Sequence, residues 1–137
     1  MAFPNVNYLA ILVCGVVIFL LGGIWYSLIF KKTWVALMGI SEEKMKEGSK
    51  GMGFNLLMAF LCALAISYIM AIVINHFSPF SCIRGAMVGT MMWIGFAAPT
   101  SFATATFSMT KKALWLINSA YNLVSFVAVG MILSVWR

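Results

Sequence analysis

The sequence predicts an all-α integral membrane protein whose four transmembrane helices form an antiparallel bundle. The first observation is composition: 64% of the 137 residues are hydrophobic and only 9% are charged, whereas soluble domains contain about a quarter charged residues. The second is length, because each of four apolar runs reaches the roughly 20 residues that a helix needs to cross a bilayer. The third is that the sequence lacks alternating ten-residue patterns, which argues against a membrane β-barrel.

The predicted spans organise the chain as a single membrane domain. They cover residues 7–30, 53–75, 84–107 and 113–135. The connections after the second and third spans are short, so the helices that they join are adjacent and antiparallel. The N-terminal apolar run has no basic segment before it and is too long for a cleaved signal sequence. It is therefore predicted to remain as the first span.

The first connection, residues 31–52, is longer than the other two. Its Ser41 is placed to cap a short helix, and Glu42 and Glu43 would then occupy the first turn, where acidic side chains are favourable. The segment before it, residues 34–38, is predicted to lie along the membrane surface. The connection leaves little material for a domain outside the membrane.

Basic residues indicate the orientation of the chain in the membrane. The opposite side carries Arg84 and Arg137, whereas the first and third connections contain seven lysines: Lys31, Lys32, Lys44, Lys46, Lys50, Lys111 and Lys112. The positive-inside rule then places both connections in the cytoplasm and both termini outside, and we expect a bacterial inner (plasma) membrane. Lipid headgroups account for the net charge of +6, so the predicted partner is the bilayer and not nucleic acid.

Acidic side chains are too few and too localised to indicate an enzyme or an ion-coupled transporter. All three carboxylates, Glu42, Glu43 and Glu47, lie in the first connection, and none lies within a predicted span. Secondary transporters generally relay protons or sodium through intramembrane Asp or Glu, and the absence of carboxylates from the spans also argues against an active site built on paired carboxylates. We therefore predict no catalytic residues.

The histidine and cysteine content gives no metal or cofactor site. His76 is the only histidine, and Cys14, Cys62 and Cys82 are far apart with no CxxC spacing. Zinc sites need three or four such ligands at close spacing, and a catalytic triad needs partners for its histidine. We predict neither a metal nor a cofactor, and we interpret His76 as an interfacial polar residue.

The stretch GGIWYSLIFKKTW has the features of a helix end at the membrane interface. Trp25 and Tyr26 precede Lys31 by about 8–9 Å along a helix, which is a suitable depth for anchoring aromatic side chains. Gly22 and Gly23 permit a neighbouring helix to approach closely. The stretch is therefore explained by topology and packing, without a catalytic role.

The same stretch resembles the start of a family of small membrane proteins known as domain of unknown function 1761. The matching positions are Gly22, Trp25, Tyr26, Ser27, Phe30, Lys32, Trp34, Gly39, Glu42 and Glu43. A further looser match is the WIGF segment that begins at Trp93. The resemblance implies four spans over the whole chain, and it implies no activity and no catalytic residues.

Uncharged polar residues are predicted to lie at matching depths in the cytoplasmic half of all four spans. Their depths were measured from the flanking lysines at about 1.5 Å per residue. The predicted cluster consists of Ser27, Asn55, Ser101, Thr104, Asn118, Tyr121 and Asn122. Thr90 is predicted to share the stripe of span three that holds Ser101, and Pro99 is predicted to kink that span by removing a backbone hydrogen bond near Gly95.

Two interpretations of this cluster remain open. Its side chains either join the helices through interhelical hydrogen bonds, each of which contributes about 0.6 kcal/mol, or form a polar vestibule for a small uncharged or cationic solute. We favour the first interpretation, because Ser, Thr and Asn are common packing residues in membrane helices. The outer half of the spans is mostly apolar, so a single chain is not predicted to form an open pore.

Self-association has a separate signal in span three. Gly85 and Gly89 form a small-xxx-small pair, which allows close helix contact. Trp93 lies about 13 Å from Arg84, too deep for an interfacial belt, and is predicted to pack against a helix. The expected function is that of a non-catalytic membrane component that binds itself or another membrane protein, and the alternative is an oligomeric channel or carrier.

Overall fold

The computed structural model describes residues 5–39, 41–77 and 81–136, and the described residues contain helices and no strand. Four of its helical segments are long and apolar enough to cross a membrane: Tyr8–Ile29, Met52–Asn75, Cys82–Phe107 and Lys112–Val135. We call these segments spans one to four. The chain is thus an all-α integral membrane protein with an antiparallel four-helix bundle, as the sequence predicts.

Seven α-helices build the described part of the chain. Their bounds are α1 Tyr8–Ile24, α2 Lys31–Met38, α3 Glu42–Gly48, α4 Met52–Asn75, α5 Cys82–Met92, α6 Ala98–Phe107 and α7 Lys112–Val135. A short 3₁₀ turn, Ser49–Gly51, joins α3 to α4. Polar side chains cap the N-terminal ends of two spans. Asn7 accepts hydrogen bonds from the backbone N–H groups of Leu9 and Ala10, and Ser81 accepts one from the backbone N–H of Arg84. Such caps satisfy the donors that a helix start leaves free.

Spans one and three each contain a π-helical turn that begins at a tryptophan. The turns are Trp25–Ile29 and Trp93–Ala97. In span three, the Ala98 N–H donates to the Trp93 carbonyl, five residues back, and Pro99 follows with no N–H of its own. The π turn therefore precedes the residue at which α-helical bonding is interrupted, and span three continues beyond it as α6.

Span four is the centre of the bundle. The other three spans all pack against α7, spans one and two also pack against each other, and α4 has little contact with α5. The core contains apolar residues of spans one, two and four, of which Cys14, Met70 and Val129 are almost fully buried. Span three is the least covered, with 6% of its most apolar window buried.

Glycines bring spans three and four into backbone contact. A Cβ atom added to Gly85 would lie 2.1 Å from the Gly130 carbonyl oxygen, and one added to Gly89 would lie 2.3 Å from that of Phe126. A Cβ on Gly130 would in turn lie 2.2 Å from the Gly85 carbonyl oxygen. The small-xxx-small pair is thus used within the chain, and these glycines are not free to hold a second copy.

The turn between spans three and four contains a strained residue. Met109 has a φ of 58°, a left-handed conformation that side chains with a Cβ disfavour. The N–H groups of Met109 and Thr110 donate to the carbonyls of Thr106 and Ala105. This pairing is a Schellman motif, in which glycine is the usual left-handed residue.

We expect Met109→Gly to raise the free energy of unfolding by about 1 kcal/mol, because glycine adopts this backbone conformation without the steric cost. The Met109 side chain is 90% exposed, so little packing is lost. The check is equilibrium unfolding in mixed micelles, with Met58→Gly, at an exposed interior position of α4, as the control, which is expected to lower the stability. An unchanged or lower stability of Met109→Gly would contradict the strained turn.

Candidate functional site

The site lies where spans one and four meet their lysine-bearing connections, which we call the lysine end of the bundle. Span one ends next to Lys31 and span four begins at Lys112. The indole N–H of Trp25 donates to the Ile117 carbonyl at 3.1 Å. This bond shows that the two helix ends lie side by side, so the first and third connections are at the same end of the bundle.

Tryptophan side chains from spans one and three bind neighbouring backbone carbonyls of span four. Trp93 donates to the Ser119 carbonyl at 3.0 Å, two residues beyond the carbonyl that accepts from Trp25. Both tryptophans are the first residue of a π turn. The two turns therefore direct their indoles to one short segment of α7, and this arrangement fixes both spans against it.

Tyrosines add two further links between spans one and four. The Tyr26 hydroxyl donates to Asn118 Oδ1 at 2.6 Å, and the Tyr121 hydroxyl donates to the Ile18 carbonyl at 2.8 Å. The rings of Tyr26 and Tyr121 also pack edge to face, with centroids 5.5 Å apart. Such pairs add stability beyond their buried area.

The motif residues around Trp25 and Tyr26 extend this aromatic contact. Phe30 packs on Trp25 with ring centroids 4.9 Å apart, and Trp34 packs on Tyr26 at 6.1 Å. Lys32 is exposed. The aromatic part of the motif thus joins the start of α2 to the end of span one.

A polar groove opens between spans three and four at the lysine end. Its volume is about 310 Å³, and its lining residues are Ser101, Thr104, Ala105, Ser108, Thr110, Trp115, Asn118, Ser119 and Asn122. Four residues of the predicted cluster are therefore brought together here. Trp115 closes one side of the groove by donating its indole N–H to Ser101 Oγ at 3.0 Å.

Most hydroxyl groups of the groove donate to carbonyls of their own helix. Ser101 bonds the Ala98 carbonyl, Thr104 that of Thr100 and Ser108 that of Thr104. Such bonds satisfy the hydroxyl proton in an apolar medium and leave the oxygen lone pairs able to accept. The hydroxyl protons of these three side chains are therefore satisfied within their own helix, and their oxygens can still accept hydrogen bonds from the groove.

Ser119 and Asn122 have unused hydrogen-bonding capacity. Ser119 is 2% exposed, and its Oγ has no hydrogen-bond partner among the described residues. Asn122 is half-buried, and no described residue hydrogen-bonds its carboxamide. Both side chains line the groove. An unsatisfied buried polar group costs about 1–3 kcal/mol, so the lack of a hydrogen-bond partner for these two side chains requires an explanation.

Asn122 also lines a second cavity, which we call the span-two cavity because its lining includes the exposed Ala59 and Cys62 of that span. It has a volume of about 230 Å³ and lies between spans one, two and four, where it is lined by Ile18, Ala59, Cys62, Ala63, Ile66, Tyr121, Asn122, Ser125 and Phe126. Tyr121, another member of the predicted cluster, is on its wall. The carboxamide of Asn122 is thus common to a hydroxyl-rich groove and a mainly apolar cavity.

Ser27 and Asn55 do not line the groove, which corrects the predicted cluster. Ser27 is exposed in the π turn whose Trp25 and Tyr26 bind span four. Asn55 is exposed in the first turn of α4, because span two packs on spans one and four and not along span three. These two residues were assigned to the cluster from their depth in the membrane alone, and depth gives the height of a side chain along the bundle but not the direction in which it points.

Thr90 lies on a different surface from Ser101, although an α-helical count placed them on one stripe. It lines an apolar groove of about 460 Å³ with Cys82, Ile83, Ala86, Met87, Met91 and Met131. The π turn Trp93–Ala97 separates the two residues. A π turn holds more residues than an α-helical turn, so the face presented after it rotates relative to the face before it.

The two glycines of span one have different surroundings. A Cβ on Gly22 would lie 3.0 Å from the Tyr121 hydroxyl oxygen, whereas one on Gly23 would meet nothing within 4 Å. Gly22 therefore permits the approach of span four, and Gly23 faces open space.

Sequence reasoning did not select Trp115 or Ser119. Trp115 follows Lys112 closely and resembles an interfacial anchor, and Ser119 lies between the two selected asparagines. The available signal for Ser119 was its position one residue from Asn118 and three from Asn122, since residues three apart share a helix face.

The described residues contain no group of three or more His, Cys, Asp or Glu side chains that could hold a metal ion. His76 is exposed, and its Nδ1 is 2.7 Å from the Ile72 carbonyl oxygen of its own helix. The three cysteines are free. The groove therefore offers hydroxyl, carboxamide and indole groups, which bind by hydrogen bonding.

Comparison with known proteins gives one match. A family model described as "Protein of unknown function (DUF1761)" matches residues 9–134. No curated protein and no solved structure matches significantly.

Proposed function

The chain belongs to the DUF1761 family of proteins of unknown function, and from that premise we propose that it is a non-catalytic membrane component that assembles with itself or with another membrane protein. The proposed interface is the groove face formed by spans three and four. The lysine end is placed in the cytoplasm by the positive-inside rule.

The observation that carries the proposal is the open polar groove at membrane depth. Asn122 lies about 15 Å from Lys112 along the helix, near the middle of the bilayer, and its carboxamide has no partner among the described residues. Hydrocarbon cannot satisfy such a group, and polar side chains in spans normally face protein or water. A second protein that covers the groove would supply the missing contacts.

The exposure of span three supports the same face. Span three packs on span four along its glycines, and its most apolar window is 6% buried against 33% for span four. A partner helix on this side would cover the least packed span of the bundle.

Cysteine cross-linking in native membranes tests the interface. Thr104, an exposed residue of the polar groove, is changed to cysteine in a chain whose Cys14, Cys62 and Cys82 are replaced by alanine. We expect an oxidant to convert the Thr104→Cys protein to a larger species. A dimer indicates self-assembly, and a species of another mass indicates a different protein.

Leu57→Cys is the matched control, because Leu57 is also exposed near the lysine end but lies on span two. We expect it to remain monomeric under the same oxidation. Equal cross-linking at both positions would indicate random collision, and a Thr104→Cys protein that stays monomeric would contradict the proposed interface.

A conduit for a small solute is the second candidate, and the polar groove is the observation that favours it. At about 30 Å³ per water, the groove has room for about ten molecules. Within one chain the other half of the bundle is filled by buried apolar residues such as Met70, Ile74 and Val129, so the rest of the path would form between the chains of an oligomer. Flux of glycerol into proteoliposomes that is lost in Asn122→Leu would favour the conduit over assembly.

A further inference from the structure

We propose that the apolar groove beside Thr90 holds an acyl chain of an anionic phospholipid whose phosphate pairs with Arg84. This groove lies between spans three and four at the end opposite the lysines, and Ile83, Met87 and Met131 are among its lining residues. It is separate from the polar groove that we assign to a protein partner, so the inference goes beyond the proposed function.

The two grooves lie on opposite faces of α7. Met131 lines the apolar groove and Asn122 lines the polar groove. The nine residues between these two positions make two and a half turns of an α-helix, and α7 is α-helical throughout. A protein bound in the polar groove would therefore leave the apolar groove facing lipid.

The apolar groove has the length and the lining of an acyl-chain site. It follows α5 from Cys82 to Met91, which is about 14 Å at 1.5 Å per residue, and half of the hydrocarbon core is about 15 Å thick. None of its lining residues is charged, and three are methionines, whose flexible side chains adapt to irregular shapes. The hydroxyl of Thr90 donates to the Ala86 carbonyl of its own helix, so the groove leaves no hydroxyl proton unsatisfied.

Arg84 supplies a positive charge next to this groove. It is exposed in the first turn of α5, and no described residue forms an ion pair with its guanidinium. Arg84, Met87 and Met91 follow i, i+3, i+7 spacing and so lie on one helix face, with Arg84 at the end nearest the membrane surface. The carboxylate side chains of the sequence all lie in the first connection, at the lysine end, so none of them neutralises Arg84.

This charge determines which lipid the groove favours. Lipid tails are as apolar as the groove, so an acyl chain gains only packing contacts there. Arginine forms strong charge-assisted hydrogen bonds with phosphate oxygens, and long basic side chains extend into the headgroup region. A zwitterionic headgroup would bring a second cation close to Arg84, whereas an anionic headgroup would not. The arrangement therefore favours an anionic phospholipid.

The test is methyl NMR of the full chain, labelled with ¹³C at the methionine methyl groups, in micelles of an uncharged detergent. Phosphatidylglycerol with a nitroxide in its acyl chain is titrated into the sample. We expect the signals of Met87, Met91 and Met131 to broaden at a lower lipid concentration than a reporter introduced by Leu12→Met, at an exposed position of similar depth on span one. Equal broadening of the reporter would indicate unselective lipid contact and would overturn the proposal.

Arg84→Gln removes the charge from an exposed side chain, so it is expected to fold. We expect it to need roughly tenfold more phosphatidylglycerol for the same broadening, because a hydrogen bond to a charged group is lost. Lys32→Gln is the matched control, since Lys32 is an exposed cation at the other end, and we expect it to behave like the wild type. An unweakened effect in Arg84→Gln would overturn the proposal, and so would equal broadening by spin-labelled phosphatidylcholine.

A second copy of the chain is the alternative occupant of the apolar groove. An unlabelled chain that carries the nitroxide at Ile83→Cys, with its native cysteines replaced, is mixed with the ¹³C-labelled chain in the absence of lipid. We expect no broadening of the Met87 and Met91 signals. Broadening would place protein in the groove and overturn the proposal, whatever the outcome of Thr104→Cys cross-linking.

Discussion

Gly130→Ala is expected to lower the free energy of unfolding by about 2–3 kcal/mol, the cost of forcing a methyl group into a closely packed interface. The added Cβ would lie 2.2 Å from the Gly85 carbonyl oxygen and 3.0 Å from the carbonyl carbon. Both atoms belong to backbone, so no side chain can rotate away. Spans three and four would have to separate, and the contact that joins span three to the bundle would be lost.

Reversible unfolding of the purified protein in mixed micelles of increasing SDS content measures this effect. Gly23→Ala is the matched control, because a Cβ at Gly23 meets nothing within 4 Å. Alanine is favoured over glycine in a helix by about 0.5–1 kcal/mol, so the control is expected to match or exceed the wild-type stability. Equal stability of the two variants would contradict the backbone contact between spans three and four.

Replacing Trp25 and Trp93 together by phenylalanine is expected to lower the free energy of unfolding by about 1–3 kcal/mol, because each interhelical hydrogen bond in a membrane is worth about 0.6–1.7 kcal/mol. Phenylalanine keeps an aromatic ring and removes the indole donor. The carbonyls of Ile117 and Ser119 then lose partners from spans one and three.

Trp136→Phe provides the comparison, since no described residue accepts from its indole and it lies just after the end of α7. We expect this variant to unfold like the wild type in the same SDS titration. The effects of the single variants Trp25→Phe and Trp93→Phe are expected to add, because one bond holds span one and the other holds span three. A double variant as stable as Trp136→Phe would refute the role given to the indoles.

The four spans were predictable because hydropathy and length depend on the bilayer and not on tertiary contacts. The described spans start at Tyr8, Met52, Cys82 and Lys112, within two residues of the positions read from the sequence. The side-by-side placement of spans three and four also follows from a short connection. The order in which the other spans surround span four does not follow from the lengths of the connections, because it depends on which helix faces carry Gly85 and Gly130.

The groove was predictable only in part. Ser101, Thr104, Asn118 and Asn122 share it because their spans are neighbours at the lysine end. Asn55 has a similar height, but its span approaches a different face of span four. Thr90 was misplaced because the π turn after it is not encoded in any simple periodicity, although a tryptophan begins both π turns.

The central claim is that span four holds the neighbouring spans through its backbone carbonyls near the lysine end. Solid-state NMR in lipid can measure the distance between indole ¹⁵N of Trp93 and carbonyl ¹³C of Ser119. With the indole nitrogen 3.0 Å from the carbonyl oxygen, the account predicts strong dipolar dephasing from a ¹⁵N–¹³C distance of about 4 Å. The dephasing should vanish in Trp93→Phe. No dephasing in the wild type would contradict the account.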